Sequence, residues 1–505
     1  MPVLRIDKDQ FSKGIAPSDT IGNALIRAAR ADVIPGLLTP TPSASDLTVG
    51  ASFVSGTDVA RFFCAGADEK VWMASDEGDS SGTVRLIKDI RGTWTATVTE
   101  ATTNAVGLAA IDDNVLIFYG NGKIEGVSDV DGTPSNQVDW QTGTAAGPAF
   151  YHKARNSIYY VGGSAAGRYQ LSRLVSAGAG SMPTQTEDVL TFTADTKILA
   201  IGDFNNDLVL ITRRSFEGYT VYVWDTFSDG PNYVFELPTP IGTQDAQAAI
   251  KNVNGRCFIV AGRRAGVYEY IGGYSVNKIA EIPAHLTNDN YFNELMCYPG
   301  AVGVYDGLFH FGVTSHSGTL GAISNYLDVF SVGGVNGEGG LVDQVAVTTA
   351  AAAAELRGAT AVFGWGGELF IGFQTSTASG VKRVTGSANP QIALLETQWI
   401  AAVKDQNDIT IDAQLKINRI GIEMAPLPAS TSITVAYDFN RSGTFSDSFL
   451  VADTTSATEL FLDFPTASNV TSSQAKEFKF RITLNPSGAS KPQLRALVID
   501  YDIVT

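Results

Sequence analysis

The sequence predicts an all-β chain: a β-propeller of about seven blades (51–404), followed by a C-terminal β-sandwich (405–505) and preceded by an extended N-terminal arm (1–50). Three observations carry this reading. A two-strand unit recurs from about residue 68 to residue 384, the pattern changes after residue 405, and the first 50 residues follow neither scheme.

In the arm, Thr20 to Ala31 predicts a short helix with Asp19 or Thr20 as its N-cap. Pro35 to Ser45 follows as an extended Pro- and Ser-rich linker. The arm has too few periodic apolar positions for a core of its own. It nevertheless holds Ile21, Leu25, Ile26, Val33, Ile34, Leu37 and Leu38, which need a surface to bury them, on the same chain or on the next. We expect a neighbouring copy to supply part of it.

Each repeat opens with a tight polar turn and continues with four to six apolar residues. Asp112-Asp113-Asn114 precedes Val115 to Tyr119, Arg155-Asn156 precedes Ser157 to Val161, and Asn205-Asn206-Asp207 precedes Leu208 to Ile211. Asn254-Gly255 precedes Arg256 to Val260, Asp306-Gly307 precedes Leu308 to Phe311, and Gly366-Gly367 precedes Glu368 to Ile371. Asp68-Glu69 before Lys70 to Ala74 is an earlier, weaker copy. Asn-Gly, Asp-Gly and Gly-Gly supply the positive φ that two-residue hairpin turns require. A second, more alternating strand follows, as in Tyr219 to Trp224, Gly266 to Tyr270 and Gly380 to Val384. The copies lie about 43 to 61 residues apart, the scale of a four-stranded blade with variable loops. A continuous apolar strand suits an inner position covered on both faces, and the alternating strand a more peripheral one. A series of separate sandwiches needs no such fixed period.

After residue 405 come short alternating strands at 409–413, 419–423, 432–437, 460–464, 478–484 and 494–501, a small sandwich or jelly roll. The alanine run 350–354 predicts a helical turn or two within a blade loop.

Composition narrows the function. Of 505 residues 44% are hydrophobic and 10% aromatic, ample for a packed interior, while only 17% are charged, so the surface is rich in uncharged polar groups. The net charge of −17 argues against a broad basic face for nucleic acid. No apolar run reaches the length of a membrane span, and the N-terminus lacks the apolar stretch of a secretion signal. Cys64, Cys257 and Cys297 sit among apolar neighbours without C-x-x-C spacing and read as buried free thiols made in a reducing cytoplasm.

The search for chemistry returns no catalytic, cofactor or metal residue. There is no G-x-S-x-G elbow. Of the four histidines, His152, His285, His310 and His316, His310 lies within a strand and reads as packed. Zinc-ligand spacings are absent. Asp438 to Asp447 places oxygen donors at alternate positions like a calcium loop, but Phe449 stands where a bidentate Glu belongs, so it reads as a polar turn. The Gly-rich run 333–340 lacks the Lys-Ser/Thr of a phosphate loop. Paired carboxylates of a glycosidase need no sequence spacing, so they stay open. The Ser-x-Asp-x-Gly-x-Thr-Trp turns of sialidases are missing, as are WD and kelch signatures.

The arm with Phe11-Ser12-Lys13-Gly14-Ile15, the degenerate propeller, and a closing segment from Gln398-Trp399-Ile400 through Lys476 to Leu484 and Pro492 to Tyr501 together resemble virion structural proteins of tailed bacteriophages. The likeness is to propeller proteins of the tail nozzle, tail tip or hub and spans the whole chain. It implies a non-enzymatic part of a ring of identical copies, contacting other tail or connector proteins. It also implies DNA passing through a central channel without specific binding, and a place in the virion after synthesis in the host cytoplasm. The alternative is a carbohydrate-active or carbohydrate-binding propeller, which two facing carboxylates in an aromatic funnel would favour. A secreted adhesin is a third reading.

Overall fold

The tight turns fold as their residues dictate. In a computed structural model, Asn205 and Asn206, Asn254 and Gly255, Asp306 and Gly307, and Gly366 and Gly367 all have positive φ, as do Glu69, Asp112 and Asn156 in the equivalent turns. Each turn joins the first two strands of one blade. The structure describes residues 3–7, 25–29, 31–32, 38–48, 50, 52–54, 57–77, 82–92, 94–101, 103–128, 144–163, 168–178, 181, 183–214, 218–239, 247–262, 264–282, 295–315, 329–332, 341–345, 358–375, 378–401, 414–439, 441–445, 447–452, 457–463 and 474–504.

Seven antiparallel blades result. Their innermost strands are Val59–Ala65, Ala105–Ile111, Thr144–His152, Thr196–Phe204, Ala248–Val253, Val302–Tyr305 and Ala359–Trp365. Each touches the next, and the seventh touches the first, so the ring closes. At the closure the Thr360 hydroxyl, itself buried, donates to the Ala60 carbonyl at 2.7 Å. The innermost strands of blades six and seven approach so closely that a Cβ on Gly364 would collide with the Val304 carbonyl.

All seven apolar runs read from the sequence occupy one equivalent position, the second strand of each blade, from Val71–Asp76 to Glu368–Gln374. They are not innermost. A second strand has hydrogen-bonded neighbours on both edges and packed blades on both faces, so Val115 to Tyr119 and Leu208 to Ile211 are wholly buried. The alternating runs are the third strands.

Blade seven takes its fourth strand from the arm: Ala44–Asp46 pairs with Ser379–Thr385, Ser45 opposite Arg383. This frees the chain after Thr385. Ala393–Thr397 and Ile400–Ala401 therefore pair with Glu477–Asn485 in the sandwich, ahead of the 405 boundary expected from sequence. The strand Glu477–Asn485 alternates strictly, burying Phe478, Phe480, Ile482 and Leu484. The facing sheet joins Val3–Asp7, Leu494–Val504, Gln414–Met424 and Glu459–Asp463.

Within the described residues of the helix expected at 20–31, a strand forms instead. Leu25–Ala29 is a strand, antiparallel to Ala393–Thr397, with Ala29 paired parallel to Asp343 of blade six. Vacant edges on both sides outweigh a modest helix propensity. One sheet thus runs from blade six through this strand into the sandwich, and one apolar core holds Phe258, Phe309 and Phe311 of the propeller with Ile420, Val435 and Phe480 of the sandwich. The described parts of the arm spend their pairing on their own chain, Leu38 included, which exchanges two backbone hydrogen bonds with Leu494. Residues 8–24 and 33–37, the alanine run 350–354, the run 333–340 and the expected strand 409–413 lie outside the described residues.

Candidate functional site: the axial channel

Closing seven innermost strands leaves a channel on the propeller axis. Towards the face that carries the first hairpin turns it widens to about 460 Å³, walled by all seven blades. The wall is apolar. Phe62, Phe150, Tyr151 and Phe363 are only half-buried, and Trp365 is exposed. Phe363 stacks between Phe63 and Trp365, with centroids 6.4 Å away on either side. Cys64, expected to be buried, also reaches this wall and is half-buried; Cys257 and Cys297 are buried free thiols, their pKa values pushed up by burial.

Among the described lining residues one side chain is charged: Lys251, on the innermost strand of blade five. Burial pushes its pKa down, opposed by Asp203 of blade four. Burial in turn holds the Asp203 carboxyl above the usual range, against the pull of His152 and Lys251. His152 ends the innermost strand of blade three, fully buried and edge-on to Phe150 and Tyr159, and burial lowers its pKa. Three adjacent blades thus set an imidazole, a carboxylate and an ammonium in one electrostatic neighbourhood. The repeat pattern read from the sequence rests on second and third strands, so Lys251 and Asp203 went unnoticed. The available signal was a lysine directly after Ala248-Ala249-Ile250 in a strand otherwise without charge.

The opposite mouth is polar and smaller, about 210 Å³, lined in part by Arg61, Asp76, Asn104, Arg168, Gln247 and Tyr298. Asp76 accepts from the Arg61 Nε at 2.9 Å and from the Ala105 N–H at 3.3 Å. Burial works against the Arg61 charge, but Asp76 and Tyr298 outweigh it and raise its pKa. Arg168 donates to the Ala146 carbonyl at 2.7 Å. Asp76 is the one carboxylate among the described residues of this mouth, and none lines the wider cavity.

The remaining candidates resolve locally. His310 is buried beside Tyr305, its Nδ1 3.2 Å from the Leu308 carbonyl oxygen, and burial pushes its pKa down to about 4. His285 and His316 lie outside the described residues. Asp438 accepts from the backbone N–H groups of Ser442 at 3.1 Å and Gly443 at 3.0 Å, which ties up its carboxylate in a turn. No cluster of His, Cys, Asp or Glu suited to a metal ion occurs among the described residues.

No family model and no curated protein matches the chain. Among solved structures it is similar to the β-propeller domain of Myceliophteria thermophila Cps50 (Swd1), at 12% identity over 68% of this chain and 99% of that one, with a TM-score of 0.44. It is also similar to the Trypanosoma rangeli sialidase solved with a difluoro-KDN ligand, at 9% identity over 90% and 95% of the two chains, with a TM-score of 0.38. The chain is a seven-bladed β-propeller. That statement rests on its own strand pairing.

Proposed function

We propose that the chain is a non-enzymatic structural component of a tailed-phage virion, in the tail nozzle, tip or hub, where copies pack side by side into a ring. The observation that carries this reading is a set of exposed apolar side chains at the turns between the third and fourth strands of blades four and five. Phe227 is 76% exposed, Tyr274 67% and Ile271 52%, and the Tyr233 and Tyr274 rings meet edge-on at 5.2 Å across the two blades. Exposed apolar side chains on neighbouring blades favour a contact surface, and a head-to-tail contact between identical copies closes into a ring when the rotation allows. The sheet and core shared by propeller and sandwich suit a rigid block. In such a ring DNA passes between copies, since the propeller's own channel is small, and the net charge of −17 keeps the passage non-adhesive. Other tail or connector proteins would meet the ring's faces, and the protein would reside in the virion.

The test is the mass of the full chain in solution by light scattering, together with its presence in purified particles. A ring that Phe227→Asp plus Tyr274→Asp reduces to monomer is the expected result. A monomer at every concentration, absent from particles, overturns the proposal, and so does turnover of a surface polysaccharide that a single carboxylate-to-amide change abolishes.

A further inference from the structure

The wide part of the axial channel is lined by mostly apolar side chains, with half-open aromatic rings and, among the described residues, one charged group, and its apolar part costs free energy while it is filled with water. Apolar surface left wet forgoes about 25 cal/mol per Å², and a lysine surrounded by protein keeps its charge only with a partner. Asp203 of blade four attracts it from a distance, and the described lining residues carry no acid. The cavity volume of about 460 Å³ is in the range of about 300–1,000 Å³ usual for small-molecule sites.

We propose that this channel binds a small amphiphile with a hydrocarbon body and one carboxylate, the body against Phe62, Phe150 and Phe363 and the carboxylate on Lys251. The charge pattern selects the sign. Aromatic rings alone would also suit a quaternary ammonium, but Lys251 repels it and no lining carboxylate offsets that repulsion. A neutral alcohol fills the same space and offers the ammonium no opposite charge. The field of the chain as a whole, at −17, disfavours anions, so preference for a carboxylate reports the local lysine. The inference does not depend on the assembly role.

Calorimetric titration of the full chain with decanoate, 1-decanol and decyltrimethylammonium tests it. Decanoate is expected to bind about tenfold or more tighter than decanol, the scale of one charge-assisted contact, with the ammonium weakest. Lys251→Met should erase that margin and leave decanol binding unchanged, while Lys251→Arg retains it. Ala110→Trp, which fills the channel, should abolish both. Thermal unfolding establishes that each variant is folded. Should Lys251→Met not fold, the decanoate-to-decanol ratio and Ala110→Trp decide. Equal affinity for decanoate and decanol overturns the proposal. So does full decanoate affinity in Lys251→Met, binding that survives Ala110→Trp, or no decanoate binding at all.

Discussion

His310 shows what burial does to a single titratable side chain. Its imidazole is 3% exposed, and desolvation lowers its pKa from 6.5 to about 4. The folded state thus binds a proton less readily than the unfolded chain. The stability this neutral ring allows is complete above pH 6.5, falls as pH drops below it, and is exhausted near pH 4. A shift of this size corresponds to about 3 kcal/mol. His310→Phe, in which nothing titrates, should show a smaller loss in denaturant midpoint between pH 7 and pH 4.5. An unchanged loss would mean that other groups, His152 among them, carry the acid sensitivity. At the same scale Gly364 stands where the innermost strands of blades six and seven leave no room for a Cβ.

Among elements, the strand Ala44–Asp46 matters beyond its length, because it completes the seventh blade from the opposite end of the chain. The Leu47 N–H continues the ladder to the Val381 carbonyl at 2.9 Å, and the Leu47 side chain packs on the core between blades seven and one. Leu47→Ala removes only the side chain. Leu47→Pro also removes the donor, so it should cost a further ~1 kcal/mol or more in equilibrium unfolding. Equal stability of the two variants would show that the closing strand contributes packing and no ladder. The same element limits truncation experiments: removing residues 1–45 takes away part of a blade as well as an arm, and assembly lost in that way says little about contacts between copies.

For the whole molecule, the consequence of a sheet running from blade six into the sandwich is cooperativity. Propeller and sandwich share one apolar core, and neither can expose its side of that core without stranding the other. Scanning calorimetry of the full chain should therefore give one unfolding transition. Two separated peaks would show that the sandwich melts as an independent unit. The strand Leu25–Ala29 is the bridge between the two parts.

The sequence by itself determined the repeat. Turn pairs such as Asn254-Gly255 and Gly366-Gly367 favour a hairpin, and runs such as Val115 to Tyr119 must be covered on both faces, so the repeat and its hairpins were legible locally, whereas the rank of the apolar strand, second and not innermost, was not. Only the tertiary structure decided what the arm does. Leu25–Ala29 and Ala44–Asp46 are strands because edges formed by residues far along the chain are vacant beside them, and no short-range signal encodes that. The channel is of the same kind. His152, Asp203 and Lys251 are about fifty residues apart in sequence, the repeat length of a blade; they become neighbours through closure of the ring, which turns equivalent positions in successive repeats into adjacent positions in space.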